Sequence, residues 1–246
     1  MTLEDLFQIA PYSLNKAEKD AALKDILNDL TRRHYAACPE YARILDALKF
    51  DAAQNHACAD LPFLPVRLFK QFELRSVPKE EITKTLTSSG TSGQAVSKIF
   101  LNADNVRSQT KTLNEIISFF IGKQRLPLLL LDTEMIKKDR SMYSARGAGI
   151  IGFSIFGRNS TYALDAEMNI DVDKVAAFFE EHKNEPILMF GYTYMIWQFI
   201  VRALEEKNIS FNAENAVLFH IGGWKKLKDQ AVDALEFNRR VQGRLG

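Results

Sequence analysis

The sequence predicts an α/β protein: helices at the N-terminus, then a largely parallel sheet with flanking helices. Three observations predict it. No strand pattern occurs before about residue 60, where two stretches space their apolar residues three and four apart. From Lys84 onward, short apolar runs alternate with amphipathic stretches of helical length, the pattern of βα units around a parallel sheet. Hydrophobic residues make up 46% of the 246, enough to bury a full core.

The elements follow in order. Asn15 with Glu18 three residues later forms a capping-box pattern, and "AEKDAALKDILNDLTRRHYAAC" continues it as a helix. Pro39 suits the first turn of a second helix, "PEYARILDALKF". "DLPFLPVRLFKQFELRSVPKE" carries prolines that exclude a helix interior and a central strand, so it is expected to run extended and lay apolar side chains on a core. The expected strands are "KTLTSS", "KIFL", "LPLLLLD", "GIIGFSIFG", "PILMFG" and "AVLFHIGG". The expected helices are "ADNVRSQTKTLNEIISFFIG", "DVDKVAAFFEEHKN", "YMIWQFIVRALEEKN" and a last one from about Lys226. This divides the chain into a helical region, 1–60, and an α/β core, 61–246, within one continuous domain.

Charge and composition exclude several functions. The formal net charge is +1, which argues against a general binder of nucleic acid or anionic membranes. Two cysteines, Cys38 and Cys58, exclude a disulfide framework, and their spacing suits neither zinc nor a redox pair. Neither has the flanking Lys or Arg that lowers a thiol pKa, so neither is read as an acyl carrier; His56, two residues from Cys58, makes that cysteine the stronger of the two candidates. "MTLEDLFQIAPYSL" lacks the basic start of a signal peptide, and "ILMFGYTYMIWQFIV" is short for a membrane span. The expected location is the cytoplasm.

The densest chemical signal is "TLTSSGTSGQAVSKIF". Ser88, Ser89, Thr91 and Ser92 supply hydroxyls, and Gly90 and Gly93 allow backbone N–H groups to converge on an anion. Lys98 follows on the next apparent strand. The spacing matches neither a Walker loop nor a Rossmann fingerprint. An ordinary Ser/Gly hairpin is the alternative. Gly222 and Gly223 follow the strand "AVLFHI", where open α/β sheets take their ligands; an αβ turn is the alternative. Arg146, in the glycine-rich "SARGAGIIGFSIFG", suits a carboxylate or a phosphate, or else an exposed surface position. Gly191 and Tyr192 close another strand, with their aromatic neighbours at core-like helical spacing. His220 is read as a packed residue, and His34, His56 and His182 have no metal-ligand spacing.

"TSSGTSGQ" resembles the phosphate-binding turn of adenylate-forming enzymes, the acyl-CoA synthetase-like superfamily. "LPFLPVRLFKQFEL" before it, and "ILMFGYTYMIWQF" and "VLFHIGGWKKL" after it, narrow the resemblance to LuxE-type acyl-protein synthetases, relatives of phenylacetate-CoA ligases. The resemblance reaches to about Asp229. It implies activation of a small-molecule carboxylic acid, a fatty acid, with ATP and Mg²⁺, then transfer of the acyl group to a protein cysteine and on to a reductase subunit. It assigns Ser88, Ser89, Gly90, Thr91, Ser92 and Gly93 to the β- and γ-phosphates, with Lys98 beside them. Gly222, Gly223, Trp224 and Lys225 would border the adenine, and Gly191 and Tyr192 the acyl pocket.

The superfamily's later motifs, an acid that holds Mg²⁺, an aspartate for the ribose and a C-terminal lysine, do not occur before Gly246. On this reading the chain is a truncated, incomplete N-terminal domain of the adenylate-forming fold. Two other functions stay open: a CoA ligase of the phenylacetate type, and an inactive remnant that binds nucleotide or a partner.

Overall fold

A computed structural model describes residues 2–87, 96–137 and 145–246. The chain divides into two compact units, Met1–Phe120 and Ile121–Gly246.

The first unit is mainly helical. After the short α1 (Leu3–Leu6), α2 (Lys16–Ala37) begins at the expected capping box: the Asn15 side chain accepts from Glu18 N at 3.0 Å, and Asn15 N donates to the Glu18 carboxylate at 2.9 Å. Pro39 opens α3 (Pro39–Ala47), which buries Leu45. The buried Asn28 pins the loop beyond α3 to α2. Its amide nitrogen donates to Lys24 O and His56 O, and its oxygen accepts from His56 N at 2.9 Å. With every polar atom paired, this asparagine escapes the cost of burial. The proline-rich segment differs from expectation. It turns at Pro65, whose carbonyl accepts from Leu68 N at 2.9 Å, into the short α4 (Leu68–Gln71). That turn leaves Phe63 and Val66 exposed rather than laid on a core.

The runs "KTLT" and "KIFL" are strands, β1 (Lys84–Thr87) and β2 (Lys98–Leu101). Among the described residues they pair only with each other, antiparallel, with Thr87 opposite Lys98. The Ser88–Gly93 turn lies outside the described residues. The unit ends in α5 (Ala103–Ile121), where the Asn102 side chain accepts from Asn105 N at 2.9 Å.

The second unit carries the parallel sheet: β3 (Leu126–Thr133), β4 (Gly157–Leu164), β5 (Ile187–Tyr192) and β6 (Ala216–Ile221), in the order β4-β3-β5-β6. β3 and β5 are buried along their whole length, hence their unbroken apolar runs. One expectation is corrected. "GIIGFSIFG" is not a strand: it lies in α6 (Ala145–Phe153) and a 3-10 turn, Ser154–Phe156. The strand follows in "GRNSTYAL", whose edge position leaves Arg158, Asn159 and Ser160 in solvent and breaks the apolar signal.

Helices cover both faces of the sheet. On one, Phe153 of α6 stacks on Phe190 of β5 at 4.0 Å and tilts toward Phe219 of β6. After α7 (Val172–Glu181), capped by Asp171, the chain from β5 to β6 runs through α8 (Thr193–Met195), a π-helical turn (Ile196–Val201) and α9 (Arg202–Glu206). This stretch lies on the other face. Gly191 admits it: a Cβ there would stand 3.1 Å from Ile196 Cγ1 and 3.0 Å from Leu131 Cβ. Past a 3-10 turn, Lys225–Gln230, the chain forms α10 (Ala234–Leu245) on the same face, with Phe237 against His220 at 4.9 Å. Among the described residues no helix is long and apolar enough to cross a membrane.

Candidate active site

The strand order sets where a ligand fits. From β3 the chain moves one way to β4, then crosses back over β3 to β5 and β6. The direction reverses between β3 and β5, and helices diverge there, opening a crevice at the strand carboxyl ends.

Asp132 stands at that point, next to last in β3. Leu130 pairs with Phe190, so two residues further on Asp132 lies beside Tyr192. Its side chain is 0% exposed and that of Arg146 is 19% exposed. Arg146 reaches from the first turn of α6 and brings Nε to 3.3 Å from Asp132 Oδ2. The geometry there is that of an ion pair without an aligned hydrogen bond. Asp132 Oδ1 accepts from Thr133 N at 2.7 Å. Arg146 Nη1 lies 3.4 Å from the Tyr194 hydroxyl and 3.5 Å from Met195 Sδ. Burial pushes the Asp132 carboxyl above its ordinary value; the Arg146 charge and the Thr133 N–H oppose this but are outweighed. Burial also raises the Tyr192 phenol, with Tyr194 and Asp132 adding to it.

A second set of contacts ties β5 to β6. Thr193 Oγ1 lies 2.9 Å from Gly222 O, 3.3 Å from Ile221 O and 3.0 Å from His220 Nδ1. Donation to Gly222 O leaves the hydroxyl oxygen free to accept from the His220 ring. Gly222 has a φ of +82°, and a Cβ there would come within 3.0 Å of Tyr192 Cδ1. Only glycine meets both conditions comfortably. Beside Gly223 the space is open. Trp224 packs edge-on to Trp197 at 5.2 Å and to Phe237 at 6.1 Å. Lys225 begins the 3-10 turn, and its side chain lies outside the described residues.

The structure therefore brings together Arg146, Tyr192, Gly222 and Gly223 at the strand ends. Gly191 is placed differently, packed between β3 and the π-helical turn. Lys98 lies exposed on β2 in the first unit. Neither Asp132 nor Thr193 stands out in the sequence. The signal for Asp132 is a lone acid closing the run "LPLLLL". Among the described residues no group of three or more His, Cys, Asp or Glu is arranged to hold a metal ion.

A parallel sheet wound in both directions, with a buried charged pair at its reversal point and a positive-φ glycine turn at the end of the neighbouring β6, defines an open α/β protein with a crevice at its strand carboxyl ends. The chain belongs to the acyl-protein synthetase family LuxE, whose family model matches residues 2–246. The match takes in the tail beyond Asp229, where the resemblance in the sequence stops. The chain is also similar to a long-chain-fatty-acid–luciferin-component ligase of Photorhabdus luminescens. The two are 33% identical over 92 residues, 37% of this chain and 78% of that protein.

Proposed function

We propose that the chain binds ATP and a fatty acid and activates the acid for transfer to protein. The carboxylate oxygen attacks the α-phosphorus of ATP and forms an O–P bond. The bond to the β-phosphate oxygen breaks, and its electron pair leaves with pyrophosphate. A protein thiolate then attacks the acyl carbon and displaces AMP. The family match over residues 2–246 carries this reading.

Chemically, the first step needs in-line placement and neutralisation of growing negative charge. In this reading Ser88–Gly93 and Lys98 receive the β- and γ-phosphates. Gly222, Gly223, Trp224 and Lys225 border the adenine, since the open side of Gly223 admits a flat ring near the backbone. Arg146 faces an oxyanion of the acid or the nucleotide, and Tyr192, with Gly191 behind it, borders the acyl chain. Mg²⁺ would add charge neutralisation on the phosphates, beside what these protein groups supply. The acyl acceptor is a protein cysteine other than Cys38, which is buried at the α2–α3 joint, and Cys58, whose thiol points at Asp20 O. A reductase subunit is the onward partner.

Calorimetric titration with ATP and with tetradecanoate, followed by exchange of labelled pyrophosphate into ATP, tests the reading. Binding of both ligands with tetradecanoate-dependent exchange supports it. Binding of neither overturns it. Exchange that is driven by phenylacetate rather than tetradecanoate, with a thioester formed on CoA, would move the chain to the CoA ligases.

A further inference from the structure

We infer that Asp132 is a positioning residue: from the end of β3 it fixes the Arg146 guanidinium so that its free edge presents paired donors to a ligand oxyanion in the β3–β5 crevice. The inference rests on the proposed role of Arg146 and adds the group that makes that role work.

The geometry has three parts. Asp132 engages the Nε side of the guanidinium, at 3.3 Å. Nη1 lies between the Tyr194 hydroxyl and Met195 Sδ at 3.4 and 3.5 Å, both long contacts. Nη2 meets no acceptor among the described residues. The planar fork is thus held at Nε and steadied by long contacts at Nη1, with Nη2 open beside it, so the Nη1–Nη2 edge receives a carboxylate or phosphate in bidentate fashion when Nη1 exchanges those long contacts for the ligand.

The cost of Asp132 supports a role beyond stability. A fully buried carboxylate pays a desolvation penalty that an ion pair seldom repays. Its one aligned hydrogen bond comes from the adjacent Thr133 N–H, so the carboxylate knits no distant segments together except through Arg146. An unanchored arginine would have to lose its rotamer freedom at the moment of binding; one already fixed does not. Asp132 thus turns a flexible cation into a preformed receptor.

The sign of one substitution separates positioning from simple electrostatics. Asp132→Asn removes a negative charge near the bound anion, so Coulomb's law alone predicts tighter binding. Positioning predicts the opposite. The test measures Kd for tetradecanoate, ATP and the uncharged tetradecanol in wild type, Asp132→Asn, Arg146→Ala and the double variant. Arg146→Ala is expected to weaken tetradecanoate or ATP, and the ligand it weakens identifies the oxyanion as carboxylate or phosphate. Asp132→Asn is expected to weaken that same ligand about three- to tenfold, the scale of immobilising one flexible side chain on binding. It should add nothing in the Arg146→Ala background and leave tetradecanol unchanged.

Unchanged or tighter binding in Asp132→Asn overturns the inference and leaves the role of Arg146 standing. So does an equal loss in both backgrounds, or a matching loss for tetradecanol, which would mark a structural role. If Arg146→Ala alters neither charged ligand, the role of Arg146 itself falls, and the inference with it. Should Asp132→Asn fail to fold, the Arg146 Nε–H resonance decides in the ligand-free wild type, assigned by its loss in Arg146→Lys. Slow exchange with solvent supports a fixed guanidinium, and fast exchange overturns it.

Discussion

Arg240 clasps Glu205 across the second unit: its Nε donates to one carboxylate oxygen at 2.7 Å, and its Nη2 donates to the other. The same guanidinium lies over the Trp197 ring, 4.3 Å from the centroid. A bidentate pair and a cation–π contact therefore hold α10 to the helix between β5 and β6. Arg240→Ala is expected to cost about 2 kcal/mol and Arg240→Lys about half as much, because lysine keeps the charge but loses the fork. Urea denaturation of the second unit's tryptophan fluorescence reads both. No change in either variant would refute the clasp. The hydrogen bonds from Arg240 hold the Glu205 carboxyl below its ordinary 4.5. A depressed carboxyl stabilises the fold above its unfolded pKa, so this contribution is lost as pH falls below about 4.5 and through the folded value.

Gly149 and Tyr192 fit one another. A Cβ on Gly149 would stand 2.3 Å from the Tyr192 hydroxyl, whose ring is buried under α6. Gly149→Ala is expected to lower stability by about 1–3 kcal/mol through overpacking. Tyr192→Phe removes the clashing oxygen and should restore part of the loss in the double variant, giving a non-zero coupling energy in the thermodynamic cycle. Additive effects would show that the helix simply moves aside.

The Gly222 turn should fail in two distinct ways. Gly222→Ala places a side chain at φ +82° and against Tyr192, at an expected cost of about 1–2 kcal/mol or more. Thr193→Val removes the hydroxyl that meets Gly222 O and His220, and should cost about 1–2 kcal/mol by leaving the carbonyl unsatisfied. Melting curves give the energies. Amide exchange at Gly223 and Trp224 should quicken in both variants, and unchanged exchange would rule out a shared turn.

His220 should make the fold acid-sensitive. The residue is exposed at the end of β6, but one side of its ring is covered by Phe237 and Thr193, and this partial desolvation lowers its pKa from the ordinary 6.5. A histidine held neutral in the fold costs nothing while the unfolded chain is also neutral. The stability it leaves intact above about pH 6.5 is therefore lost as pH falls through the folded pKa. His34 shifts downward too, through burial and then Arg33, so residue-resolved NMR titration must separate the two. His220→Gln should flatten the slope between pH 6.5 and the folded value, and an unflattened slope would exclude His220 as its source.

Much of the architecture is legible in the sequence where one local rule decides. The Asn15–Glu18 box, Pro39 at a helix start and the apolar runs of β3 and β5 each follow from neighbouring residues alone. β4 is hidden because an edge strand with Arg158, Asn159 and Ser160 outward has no apolar pattern. "GIIGFSIFG" suggests a strand because its helix is apolar on most sides, as suits one pressed onto Phe190 and Tyr192. Arg146, Tyr192, Gly222 and Gly223 are readable as strand-end and glycine-rich candidates. Asp132 and Thr193 are not, since what marks them is a partner 14 and 29 residues away, met only after the sheet is assembled.

The π-helical turn at Ile196–Val201 has a consequence for helix phase. Such a turn holds one residue more than the α-helix it interrupts, so it sets the angular position of everything after it. Losing a single residue there would let a regular α-helix form, and would rotate the following side chains by about 100° around the axis. Glu205 would turn away from Arg240, and Arg202 from Gln230, whose side-chain oxygen it now meets at 2.7 Å. The buried Leu204 would turn with them toward solvent. One extra residue, placed just after the strand that carries Tyr192, thus keeps the docking face of the last helix in phase with the ligand end of the sheet.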